Sequence, residues 1–105
     1  MYKTKHTILA SCFDRKGRLL SSAINSYTKS HPIQAYFARQ VGHPAKIYLH
    51  AEIHAIIKAG DKQIDKIVIT RTGKNNQPLN AKPCPICQAA IKAYGISTVS
   101  YTTGE

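Results

Sequence analysis

Two short stretches hold residue types that can do chemistry together: Leu49-His50-Ala51-Glu52-Ile53 and, further along, Pro83-Cys84-Pro85-Ile86-Cys87. One imidazole and two thiols make three ligands for a zinc ion, the number a catalytic zinc site uses when its fourth position is kept for water. Glu52 is then left for proton transfer. Zinc with two thiolates and a neutral imidazole is close to neutral overall, so it can polarise a water and lower its pKa toward ~7. Neither stretch is specific by itself: His-x-Glu is common, and Cys-x-x-Cys equally suits a zinc knuckle or a redox pair. Their order, the prolines at 83 and 85, and an amphipathic segment after each argue for one shared site. A redox dithiol would leave the His50-Ala51-Glu52 segment without a role.

Positioning these side chains falls to two helix starts. Cys84 and Cys87, three apart, fall on one side of a single helical turn, and the positive ends of two converging helices stabilise thiolates. The helix after His50 shows a stripe of Ile53, Ile56 and Ile57 ended by Gly60-Asp61, and the helix after Cys84 one of Ile86, Ala89, Ala90, Ala93 and Tyr94 stopped by Gly95. An earlier helix is expected from a Ser30 cap and Pro32 through Ile33, Tyr36, Phe37 and Val41 to Gly42. Strands are expected over Thr7–Phe13 and Arg18–Ile24, joined by the turn Asp14-Arg15-Lys16-Gly17, and over Ser97–Thr102. Lys66-Ile67-Val68-Ile69-Thr70 reads as a central strand covered on both faces, and residues 73–82 as a surface loop. The order β-β-α-α-β-α-β predicts an α/β fold with a mixed sheet of about four strands flanked by helices.

The 105 residues suit one domain, 1–105, and the 43% apolar content is that of a globular chain. No apolar run approaches the ~20 residues of a membrane span, and no cleavage pattern follows Met1, so a cytoplasmic protein is expected. Three cysteines, two of them in Cys84-x-x-Cys87, favour metal chemistry over a disulfide framework, and Cys12 reads as a small buried hydrophobe. Lys and Arg outnumber Asp and Glu by 15 to 5, a net charge of +10 that favours phosphorylated or polyanionic partners over solubility alone, though no basic run exceeds two residues. Lys29, Arg39, Lys46, Lys74 and Lys82 lie near the motifs in sequence; any of them could hold a phosphate, but residue by residue solvated surface is the favoured reading.

The His-x-Glu and Pro-Cys-x-x-Cys pair resembles the signature of the cytidine deaminase superfamily, whose zinc enzymes act on nucleobases. Pro83 to Ile91, Tyr94-Gly95-Ile96 and His50 to Ile56 are similar to the branch containing deoxycytidylate, tRNA adenosine and guanine deaminases. The resemblance implies a three-layer αβα fold, zinc on His50, Cys84 and Cys87, and Glu52 as the acid–base group. Glu52 takes a proton from water, which attacks the amino-bearing carbon, and returns protons to the ring nitrogen and the departing amine. It also implies Asn25 as a sugar or base contact, for which a turn role is the competing reading, and the Ala51 N–H as a donor to the substrate ring. Tyr27, Tyr48 and His31 join them as groups able to stack on or hydrogen-bond a base, although for each alone a packing role is the favoured reading. Pro83, beside the second motif, joins the candidate substrate contacts, whereas His54, able to support the site from two residues beyond Glu52, is by default a helix-surface or core histidine. Members of that branch continue with a helix and a fifth strand beyond the segment matching Ser97 to Thr102. Their absence here would expose a sheet edge, for which a homo-oligomer is the expected remedy.

Three functions follow as expectations. The first is a zinc hydrolase that deaminates a nucleobase, most simply cytosine in a free nucleoside or nucleotide. The second is a deaminase of single-stranded DNA or RNA, or of adenine or guanine. The third is a zinc-stabilised nucleic-acid-binding module without turnover.

Overall fold

The computed structural model describes residues 7–26, 28–72 and 78–103. At its start, β1 (Thr7–Phe13) and β2 (Leu19–Ile24) form the expected antiparallel hairpin, with Ala10 opposite Ala23 and Cys12 opposite Ser21. Its turn is tied by Asp14, whose carboxylate accepts from the Lys16 and Arg18 backbone N–H groups at 2.9 Å each and from Arg18 Nε at 2.7 Å. Gly17 supplies the positive φ of +82° that the turn needs.

Next to β1 on its other side lies β3 (Lys66–Thr72), antiparallel, pairing Ala10 with Ile69 and Cys12 with Ile67. The far edge of β3 is shared. Its first residues pair in parallel with β5 (Thr98–Tyr101), and its last with the two-residue β4 (Pro78–Leu79), antiparallel. β4 falls inside the segment expected to be a loop: proline and short polar residues hide a strand this brief from any periodicity argument. The sheet is therefore mixed, as expected, with the β3–helix–β5 unit supplying its parallel pair.

Helices α1 (Pro32–Gln40), α2 (Ala51–Ala59) and α3 (Pro85–Ala93) follow the expected positions closely. The cap of α1 is His31, whose Nδ1 accepts from the Ile33 N–H at 3.1 Å, and not Ser30, which bridges to Tyr48 instead. In α3 the buried residues are Ile86, Cys87, Ala90 and Ile91, whereas Ala93 and Tyr94 are exposed. Ala89 and Ala93 complete a helical period in the sequence that the buried Ile91 and Cys87 override.

The core lies between the helices and one sheet face, where Ala10, Cys12, Ala23, Ile67 and Ile69 meet Ile53, Ala55 and Ile56 of α2. Ser21, on that face, donates its hydroxyl to the Ala55 carbonyl at 2.6 Å, which locks α2 onto β2. The opposite face holds Leu9 and Ile24, both exposed, the half-buried Val68 and Thr70, and a Ser11–Ser22 hydroxyl pair at 2.9 Å. No described helix covers it, so the outer layer expected on that side is not among the described residues. For the same reason β3 is covered on one face and not on both: its unbroken β-branched run reflects strand propensity as much as burial. Among the described residues no helix is long and apolar enough to cross a membrane.

Candidate functional site

His50 is the N-cap of α2 and Cys84 the N-cap of α3, so both motifs stand at helix starts where backbone N–H groups lack intrahelical acceptors. Extended backbone at both caps, φ −78° and −71°, turns the side chains away from the helix axes toward each other. His50 Nδ1 lies 3.3 Å from Cys87 Sγ and 3.5 Å from Cys84 Sγ. The three donor atoms lie within 4.8 Å of one another. Tetrahedral zinc, with its usual bond lengths, holds nitrogen and sulfur ligands about 3.5 Å apart, so the donor set fits that ion.

The segment leading to His50 is fixed from three directions. Ser26 N–H donates to the Leu49 carbonyl at 2.9 Å, Leu49 N–H to the Lys29 carbonyl at 2.8 Å, and His50 N–H to Gln34 Oε1 at 3.1 Å. Gln34 is wholly buried and its Nε2 donates in turn to the Lys46 carbonyl at 3.3 Å. Sequence reasoning missed this residue. The available signal was a long polar side chain at helical spacing from Phe37 and Ala38, inside an otherwise apolar face.

Charge in the cluster is divided unequally. The Cys87 thiol and the His50 ring hold Cys84 as a thiolate, with its pKa down to about 3, while the Cys84 charge and burial push Cys87 well above the ordinary thiol range. The pair thus gives up one proton easily and the second with difficulty. Its hydrogen bond to Cys84 raises the His50 pKa against the lowering effect of burial. Glu52, in the first turn of α2, is only 5% exposed, and burial raises its carboxyl pKa.

Beside the cluster opens a cavity of about 480 Å³, a size suited to a small organic ligand. His50, Glu52 and Cys84 stand on its wall, with Asn25 and Tyr48 among the residues opposite or around them. Asn25 Oδ1 accepts from the Ile8 N–H at 2.9 Å, so the side chain serves the strand end and faces the cavity at once. Ala51 is fully buried at the first position of α2, where its N–H has no intrahelical acceptor. Pro83 is buried and its carbonyl accepts from Gln88 Nε2 at 2.7 Å, while His31 is engaged as the α1 cap; neither is among the residues lining the cavity. His54 Nδ1 lies 3.4 Å from the Ile24 carbonyl, at the end of β2. Tyr27 and Lys74 lie outside the described residues. Of the basic candidates, Lys46 and Lys82 line the cavity and Lys29 and Arg39 do not. Arg71, which sequence reasoning did not single out, lines it too.

No curated protein matches the chain. The family model described as the cytidine and deoxycytidylate deaminase zinc-binding region matches residues 1–103. That span takes in both helix starts, their donor atoms and the cavity beside them, and the protein is accordingly a member of the cytidine and deoxycytidylate deaminase zinc-binding family.

Proposed function

We propose that the protein is a zinc-dependent hydrolase that converts the exocyclic amine of a nucleobase to a carbonyl and releases ammonia, the base being cytosine in a free nucleoside or nucleotide. The observation that carries the reading is a His50–Cys84–Cys87 donor set with a buried carboxyl outside that set, Glu52, beside it on the wall of a ligand-sized cavity. Zinc supplies, when bound, the Lewis acidity that makes water a nucleophile near neutral pH.

The chain's own residues do the rest. Glu52 accepts the proton that the attacking water loses, donates it to the ring nitrogen as the carbon becomes tetrahedral, and moves a second proton to the departing amine. Its raised pKa suits both directions of transfer. The Ala51 N–H and the Asn25 side chain orient the base and sugar, and Tyr48, half exposed at the cavity mouth, supplies a ring face for stacking. Self-association belongs to the same proposal: β5 is an edge strand with Val99 and Tyr101 exposed, and sedimentation equilibrium reads whether copies pair.

The test is ammonia release from zinc-loaded protein given a panel of nucleosides and their monophosphates. Turnover of the cytosine compounds is expected. Release from none of the panel removes the reading, and turnover of oligonucleotides alone moves it to single-stranded DNA or RNA.

A further inference from the structure

The two outer edges of the sheet are covered very differently. Asn25 N–H donates to the Ile8 carbonyl, so alternation along β2 turns the Ser22 and Ile24 carbonyls away from β1. Helix α2 reaches both: Lys58 Nζ donates to the Ser22 carbonyl at 2.9 Å, and His54 Nδ1 lies 3.4 Å from that of Ile24. A carbonyl already engaged, with a lysine charge beside it, is a poor acceptor for another strand. β5 has no such cover among the described residues. Thr98, Val99, Ser100 and Tyr101 are all exposed, and residues 93–104 carry no charged side chain in a chain of net charge +10. An edge without lysine or glutamate is open to pairing, and depletion of charge marks the centre of an interface.

The register of β5 on β3 decides which groups that edge offers. The Thr98 and Thr102 N–H groups donate to the Asp65 and Ile69 carbonyls at 3.1 Å each, so Val99 and Tyr101 turn their N–H and C=O groups outward. Their side chains lie beside Ile67 and Ile69 on the helix-facing side of the sheet. Those isoleucines are fully buried, whereas Val99 and Tyr101 are 37% and 39% exposed, so the apolar layer runs on past the helices to a bare rim. The strand is also held at both ends, by the Ser97 hydroxyl donating to the Asp65 carbonyl at 3.0 Å and the Ala81 N–H to the Thr102 carbonyl at 2.8 Å. An edge already fixed in place loses little freedom when it pairs.

We propose that two copies of the chain join through β5, antiparallel about a two-fold axis at Ser100, into one continuous sheet. This rests on the self-association proposed above and gives it a geometry, independently of what the cavity binds. With the axis at Ser100, Val99 of one copy stands opposite Tyr101 of the other. Each such pair exchanges both backbone hydrogen bonds, and the apolar side chains cover one another along the bare rim. Ser100 meets its own copy at the close, non-hydrogen-bonded position. An axis at Val99 would set Tyr101 against Ser97, and one at Tyr101 would set Val99 against Thr103, so either loses the apolar match.

Sedimentation equilibrium of zinc-loaded protein over a concentration series should show monomer and dimer in exchange. Val99→Lys should weaken the dimer by at least ~10-fold, because a symmetric interface loses the Val99–Tyr101 contact twice and gains a lysine from each copy. Val99→Pro removes an outward N–H and leaves the β3 ladder intact, so it should weaken the dimer as well. Ser100→Cys sets two thiols across the close pair, at a Cα separation of about 4.5 Å that a disulfide accepts, and mild oxidation should yield a covalent dimer. Thr98→Cys, off the axis, should yield none, and Ile24→Lys, on the β2 edge, should leave association unchanged. The Ser100→Cys result is a gain of signal, so it reads the geometry even if the Val99 variants fold poorly. A dimer that gives no Ser100→Cys cross-link, or that Ile24→Lys disrupts and Val99→Lys does not, overturns the β5 geometry and leaves self-association standing. A monomer at every concentration overturns both, and ammonia release still judges the deaminase reading by itself.

Discussion

A carboxyl group that must take up a proton and later return it works best with a pKa near the working pH, and burial moves Glu52 in that direction. Glu52→Gln keeps the shape and loses the proton, so it should lower turnover by ~10² to 10⁴-fold while one zinc per chain remains by elemental analysis. Unchanged turnover would mean the carboxyl does no proton transfer. The two cysteines should differ as sharply. With its pKa down to about 3, Cys84 is a thiolate and only partly buried, whereas Cys87 is fully buried and held protonated. In metal-free protein, iodoacetamide at about pH 5 should therefore alkylate Cys84 and spare Cys87, and zinc should protect both. Peptide mapping that finds equal labelling would contradict the unequal sharing of charge.

At the level of elements, the positions of the two motif helices were legible because each joins a helical apolar period to a glycine stop, Gly60 and Gly95. What fixes their starts was less so. Gln34 reaches from α1 to the His50 N–H, a contact between residues 16 apart that no local pattern encodes. Gln34→Leu should leave that N–H and the Lys46 carbonyl without their partner, lowering stability by about 1–3 kcal/mol in urea denaturation. A loss below a few tenths would show that the contact is dispensable. The hairpin turn offers a pH test. The backbone N–H of Arg18 first, then its guanidinium and the Lys16 N–H, hold the Asp14 carboxyl below its usual range. Because the folded pKa is the lower one, this stabilisation is present above the ordinary carboxylate range and disappears as pH falls through the folded value. Asp14→Ala should thus lower Tm at neutral pH, with the gap closing in strong acid. A gap that does not change with pH would show that the carboxylate charge is not what holds the turn.

For the whole molecule, zinc would join the starts of α2 and α3, which reach the site from different points in the chain. A ligand that binds only the folded state stabilises it by ~4 kcal/mol at a thousandfold excess over Kd, so a chelator should lower Tm by at least about 10 °C and added zinc should restore it. An unchanged Tm would separate the donor set from metal binding altogether. The sequence by itself determined the α/β class, the mixed sheet and the His-x-Glu with Cys-x-x-Cys pair, because these are written in local periodicity, in short-range spacing and in residue chemistry. Only the tertiary structure decided that the described helices gather on one sheet face, that β4 shares an edge of β3 with β5, that Gln34 accepts from the His50 N–H, and that Arg71 lines the cavity. Those depend on which residues distant in sequence meet across the fold, and the side chains that make such contacts leave no periodic trace along the chain.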